Sequence, residues 1–274
     1  MKKHFYTFVS VITLFFLAAC STVPITGRSR IALMTTPEQE EQLGNQAWQE
    51  IQKKEHLTKN KDYADAVKRV GENIAAVADA PDFKWEFKTF ESNQANAFCL
   101  PGGKVAVYTG IFQFADCDAE LAAVMGHEIG HAIARHGGER IAEDQIRQAI
   151  GAGVVSFTNP KYKKLAEMVY GGASEVGFML PYSRTHEYEA DHIGLILMAK
   201  AGYDPNYALS FWNKFAKISK MSAIEEFIST HPISTKRLEQ MRKYLPQALK
   251  IYNNAPRKLK SGEVYTWKKS SPKK

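Results

Sequence analysis

The chain has 274 residues, and with an N-terminal leader set aside, positions 20–274 suffice for one ordinary domain. The net charge of +7 sits at the ends: Lys2 and Lys3 at the start, and Arg257, Lys258, Lys260, Lys268, Lys269, Lys273 and Lys274 against the single acid Glu263 at the finish. The nearly neutral body excludes a basic groove of the nucleic-acid-binding kind, and no stretch after the leader is apolar for long enough to cross a bilayer.

Lys2-Lys3, an apolar run from Phe5 to Leu17 and then Leu17-Ala18-Ala19-Cys20 form a secretory signal pattern over 1–19. The run is shorter than the roughly 20 residues that a spanning helix needs. Its end resembles the lipobox of bacterial lipoproteins, in which Cys20 becomes the acylated first residue. Ser21 in place of an acid favours the outer membrane, so the expected placement is a periplasm-facing, lipid-anchored protein of a Gram-negative outer membrane. Cys99 and Cys117 remain, either as a disulfide or as two separate buried thiols.

After a linker over 20–35, Thr35-Thr36-Pro37-Glu38 reads as a helix start, and a helix over 38–56 is predicted. Tyr63, Ala66, Val67, Val70, Ile74 and Val77 recur at helical spacing, which predicts a second helix over 62–79. Phe83, Trp85, Phe87 and Thr89 then alternate with polar residues, and two apolar runs flank Pro101-Gly102-Gly103. Residues 83–109 therefore read as a small antiparallel sheet. From Asp118 the pattern is helical: 118–136, 139–157, 161–178, 184–201 closed by Gly202, 205–219 and 234–245. Residues 150–155 are apolar and small, which favours close helix packing over a lid or a membrane-facing surface. The expected domain spans 36–253, followed by a solvated basic tail over 254–274 that would meet acidic lipid head groups if it binds anything.

The chemistry centres on His127-Glu128-Ile129-Gly130-His131. Residues four apart on a helix lie about 40° apart around its axis, so both imidazoles face one way and suit a single Zn²⁺. Glu128, rotated by about 100°, is placed to act as general base on an attacking water. Zinc requires a third protein ligand. His136, nine residues from His127, falls near the opposite face of the helix and is rejected as a ligand, and the position where another zinc-peptidase pattern would put a histidine is Gly137. The expected third ligand is Glu187, with Asp191 one turn on to orient a ligand histidine. Ala190 between them is small enough for two helices to approach closely, while His186, Glu189 and His192 are read as non-ligands.

These residues carry a wider resemblance. Asn96-Ala97-Phe98 with Pro101-Gly102-Gly103, Glu120-Leu121 before the histidine pair, Ser183-Arg184 with Glu187, Ala190 and Asp191, Ala201-Gly202-Tyr203-Asp204-Pro205, and Ser229-Thr230-His231-Pro232 with Arg237 together resemble the M48 metallopeptidases, in particular their small Gram-negative lipoprotein members of the LoiP and YcaL type. The similarity runs from about 36 to about 245. It implies an α+β, predominantly helical gluzincin fold with the sheet beside the active-site helix. It also implies one zinc per chain with Glu187 as the glutamate ligand, and endopeptidase activity on unfolded or misassembled envelope proteins. His231 would donate to the oxyanion of the transition state or approach zinc and block the water position, leaving a latent enzyme or a chaperone-like scaffold. Arg237 would orient that oxyanion or anchor the loop, or equally form a structural salt bridge. The strand that holds Asn96, Ala97 and Phe98, or the one over 105–108, would bind substrate by strand addition. The family carries a small or hydrophobic residue where Cys99 stands, which leaves room for a Cys99–Cys117 bridge. The oligomeric state is open.

Overall fold

A computed structural model describes residues 21–30, 35–143, 182–217, 222–259 and 261–269. The leader with Cys20, most of the helix expected over 139–157, the helix expected over 161–178 and the apolar segment 150–155 lie outside the described residues. Contacts divide the chain into two units, Met1–Thr36 with Gly137–Leu180, and Pro37–His136 with Pro181–Lys274. In the first, β1 (Ser21–Thr22) pairs antiparallel with β2 (Ser29–Arg30), and Arg28 donates to both carboxylate oxygens of Glu139 at 2.8 and 3.1 Å.

The second unit is α+β and mainly helical, as the sequence implies. Helix α1 (Pro37–Lys54) has acids in its first turn and lysines in its last, which complements the helix dipole. Helix α2 (Lys61–Ala75) is capped by the Asn60 side chain and buries Ala66, Val67, Val70, Gly71 and Ile74 on one face.

Three strands follow: β3 (Glu86–Phe90), β4 (Ala97–Leu100) and β5 (Lys104–Tyr108), in the spatial order β3-β5-β4. The β4–β5 hairpin is antiparallel and turns through Gly102 and Gly103, both at positive φ, where a side chain would be strained. The β3–β5 pair is parallel, so the sheet is mixed and not purely antiparallel. Alternation along a strand reports its buried face and carries no information on the direction of its neighbour. Trp48, Phe90, Leu100 and Ala106 form a core between α1 and the sheet.

Helix α3 (Asp118–Ile133) is buried on nearly every side and lies against α4 (Arg184–Ala201). A Cβ on Gly130 would stand 3.0 Å from the Ala190 carbonyl oxygen, and one on Gly194 would stand 3.0 Å from the His127 nitrogen. The small residue at 190 does permit the close approach expected of it. Ser183 caps α4 by accepting from the His186 amide, and Gly202, at φ 88°, ends it.

Helices α5 (Asn206–Lys217), α6 (Glu225–Thr230) and α7 (Thr235–Asn254) complete the unit. The solvated-tail expectation fails over much of its length. Leu259 donates to the Gly202 carbonyl, Ser261 accepts from the Ala119 amide, and Tyr265 donates to the Asp116 carbonyl. Tyr265 stacks on Trp267, which meets Tyr63 and Phe112, and Lys268 pairs with Asp116 at 2.5 Å. Helix α8 (Thr266–Lys269) lies in this strap. Aromatic residues within a basic segment outweighed its charge.

Candidate metal centre

Helix α3 carries His127 and His131 on one face. Helix α4 carries Glu187 in its first turn, placed there by the Ser183 cap. The short α6 ends at Thr230, and His231 follows with its amide bonded to the Phe227 carbonyl at 2.8 Å. Four donor atoms from these elements converge. His127 Nε2 lies 3.1 Å from His131 Nε2 and 3.3 Å from His231 Nδ1. Glu187 Oε1 lies 3.3 Å from His131 Nε2 and 3.1 Å from His231 Nδ1, and its Oε2 lies 3.5 Å from His127 Nε2.

The donor set fits zinc. Bonds of roughly 2.0–2.1 Å in a tetrahedron set its donor atoms about 3.3 Å apart, which is the spacing found. Asp191 Oδ1 lies 2.9 Å from His127 Nδ1. A carboxylate only accepts, so that ring nitrogen carries the proton and Nε2 turns its lone pair toward the other donors. Converging lone pairs in a dry site need a cation between them.

Arg237 holds the acids in place. Ser234 caps α7 by accepting from the Arg237 amide, which fixes this residue in the first turn. The guanidinium binds both oxygens of Asp191, at 2.9 and 2.7 Å, and Glu187 Oε2 at 2.5 Å, and lies over the Trp212 ring. It also donates to the Pro232 carbonyl at 3.4 Å, directly beside His231. It pairs with two acids and the loop, the geometry of the anchoring and salt-bridge alternatives.

Electrostatics follow from burial and these pairs. Burial opposes the charge of His127, but Glu187 and Asp191 outweigh it and push its pKa up to about 9. Burial holds His131 well below the usual imidazole range. Burial also works against the charge of Glu187, yet Arg237, His231 and His127 keep its carboxyl well below the ordinary carboxylate range. Glu128 is raised by burial, with His231 and His127 offsetting part of the effect, and its Oε1 lies 3.7 Å from His231 Nε2.

Strand β4 pairs only with β5 among the described residues, and Ala97 in it is buried. Asn96 accepts from the Tyr108 amide, and Phe98 packs its ring toward Tyr108 and the Trp48 core. Cys99 and Cys117 are both free, so no bridge joins them. Burial pushes both thiols up, Cys117 to about 11 and Cys99 well above its usual value, and the charge of Glu128 adds to the rise at Cys99.

Two groups near the centre escaped the sequence reading. Tyr182 stacks on the His131 ring with centroids 3.8 Å apart and donates its amide to the Thr230 carbonyl. His136, set aside on the assumption of a continuous helix, is fully buried and bonds His131: the two Nδ1 atoms are 2.9 Å apart. The helix in fact stops at Ile133, and Arg135 takes φ 58°, which returns the chain toward the metal face. The Arg135 side chain is held there by both oxygens of Glu40. The pair Gly137-Gly138 was the available signal that the helix breaks here. His186 and Glu189, read as non-ligands, are buried beside His136 and supply no atom to the four-donor cluster. His192 stacks on Tyr244 away from it.

The sequence pattern of peptidase family M48 matches residues 62–245. The mitochondrial metalloendopeptidase OMA1 of Schizosaccharomyces pombe is 39% identical over 183 residues, covering 66% of this chain and 53% of that protein. The mitochondrial metalloendopeptidase OMA1 of Homo sapiens is 30% identical over 259 residues, covering 89% and 49%. The beta-barrel assembly-enhancing protease of Escherichia coli K12 is 26% identical over 282 residues, covering 93% and 57%. The chain spans about half the length of the curated relatives it matches. These matches overturn the expected outer-membrane placement: the mitochondrial proteins stand above the bacterial one, and none of the three carries the lipoprotein subtype in its name.

Proposed function

The chain belongs to peptidase family M48, and on that premise we propose that it is a zinc-dependent endopeptidase for unfolded or misassembled membrane-associated proteins, latent at rest. Proteolysis in membrane-protein quality control is the reading that relatives named metalloendopeptidase and beta-barrel assembly-enhancing protease support. No described helix is long and apolar enough to cross a membrane. The proposal also includes attachment at Cys20, on the Leu17-Ala18-Ala19-Cys20 pattern, without assigning the membrane.

His127, His131 and Glu187 would hold the ion, and zinc would supply a Lewis acid for the peptide carbonyl and acidity for the attacking water. Glu128 takes the proton of that water and returns it to the leaving amine, a task that its raised pKa suits. The free edge of β4 aligns an extended peptide by main-chain hydrogen bonds, which selects for unfolded chain over any one sequence. His231 Nδ1 occupies the fourth corner of the donor set, where the attacking water must stand. Turnover therefore requires His231 to withdraw, and the loop before α7 is the hinge.

The observation that supports this most is the spacing of the four donors beside Glu128. Cleavage of an unfolded polypeptide such as casein tests it. Zinc-loaded wild type is expected to cleave slowly, His231→Ala faster, and Glu128→Gln scarcely at all, with chelator abolishing each. Equal rates for wild type and Glu128→Gln would refute the mechanism.

A further inference from the structure

The two imidazoles on α3 are backed in different ways. His127 Nδ1 meets the Asp191 carboxylate directly at 2.9 Å. His131 Nδ1 meets another imidazole, His136 Nδ1, also at 2.9 Å, and His136 Nε2 lies 2.9 Å from Glu189 Oε2. All three groups are buried, and the His136 ring stacks on His186 with centroids 4.4 Å apart.

We propose that His136 and Glu189 are positioning residues that fix the tautomer and orientation of His131 for zinc through a relayed hydrogen-bond chain. The inference rests on the zinc reading above. A carboxylate accepts only, so His136 Nε2–H donates to Glu189 and His136 Nδ1 is left as an acceptor. His131 must then donate from Nδ1, and its Nε2 keeps a lone pair aimed at the other donors, 3.1 Å from His127 Nε2. Each link dictates the next, so a carboxylate that never touches His131 sets its protonation pattern. The left-handed turn at Arg135, tied to Glu40, brings His136 into line. Helix α4 thus serves both imidazoles, His127 from Asp191 and His131 from Glu189 two residues earlier.

The test compares zinc affinity by chelator competition and the visible spectrum of the cobalt-substituted protein, in wild type, Glu189→Gln, His136→Asn and the double variant. Glu189→Gln keeps size but can donate as well as accept, so the chain loses its direction. Each single variant is expected to weaken zinc by about 10-fold or more, in the range of lost outer partners of metal ligands, and to shift the cobalt bands. The double variant is expected to match His136→Asn, because a broken chain has no second link to lose. Zinc affinity within twofold of wild type and unchanged cobalt bands in Glu189→Gln would overturn the proposal. So would a lower melting temperature of the metal-free variant as the only change, or additive losses in the double variant. If His136→Asn does not fold, Glu189→Gln alone decides. Wild type that retains no divalent metal would instead defeat the underlying zinc reading.

Discussion

The two sides of the donor cluster are built differently. His127 and His131 stand on a helix buried on nearly every side and pressed against α4 at Gly130 and Gly194. His231 follows a six-residue helix and is placed by its backbone, by stacking on Phe227, and by the Arg237 bond to Pro232. The same side chain thus stands on a buried helix in one place and, in the proposed mechanism, at a hinge in the other. A site whose chemistry needs one open corner keeps three donors on a rigid frame and puts the fourth on a loop.

The largest expected effect sharpens the rigid side. Glu128→Gln should lower turnover of an unfolded polypeptide by about 10²–10⁴-fold, the usual range for a lost general base, while zinc content by elemental analysis stays unchanged. Arg237→Met tests what holds that frame. It leaves Glu187 and Asp191 as buried acids without their counter-charge, so urea unfolding of the metal-free protein should show a loss of about 3–5 kcal/mol. Gly194→Ala tests the helix contact itself. A Cβ would meet backbone atoms of Gly126 and His127 that cannot step aside, and calorimetry should show a loss of about 1–3 kcal/mol.

The hinged side gives the smallest effect and the opposite sign. His231→Ala should raise turnover by about tenfold, equivalent to ~1.4 kcal/mol, with no loss of zinc. A fall in both rate and zinc content would place His231 with the fixed ligands and break the comparison.

The rigid side was legible in the sequence and the hinged side only in part. Residues 127, 131, 187 and 191 sit within helices, where a 3.6-residue period converts spacing into direction, so their faces follow from arithmetic. His231 was singled out, but a loop carries no such rule, so two roles stayed open, and the coordinates add that its Nδ1 stands within the donor cluster. His136 stays outside the four-donor cluster as expected, but its place behind His131 was missed because the same arithmetic was carried past the end of its helix, across Arg135 at φ 58°. The sheet erred for a different reason: alternation along a strand leaves open whether β3 runs with or against β5. Arg237 was identified, but sequence could not reveal that Glu187 and Asp191 would both claim its guanidinium. The outer-membrane placement rested on the leader alone, and the relatives overturned it.

The zinc-edge X-ray absorption spectrum of the zinc-loaded wild-type chain, read beside that of His231→Ala, is the most direct test of the central claim. The expected spectrum is a four-coordinate nitrogen and oxygen shell with scattering from three imidazoles in the wild type and from two in the variant. A chain that retains no zinc, or a shell with no imidazole scattering, would contradict it.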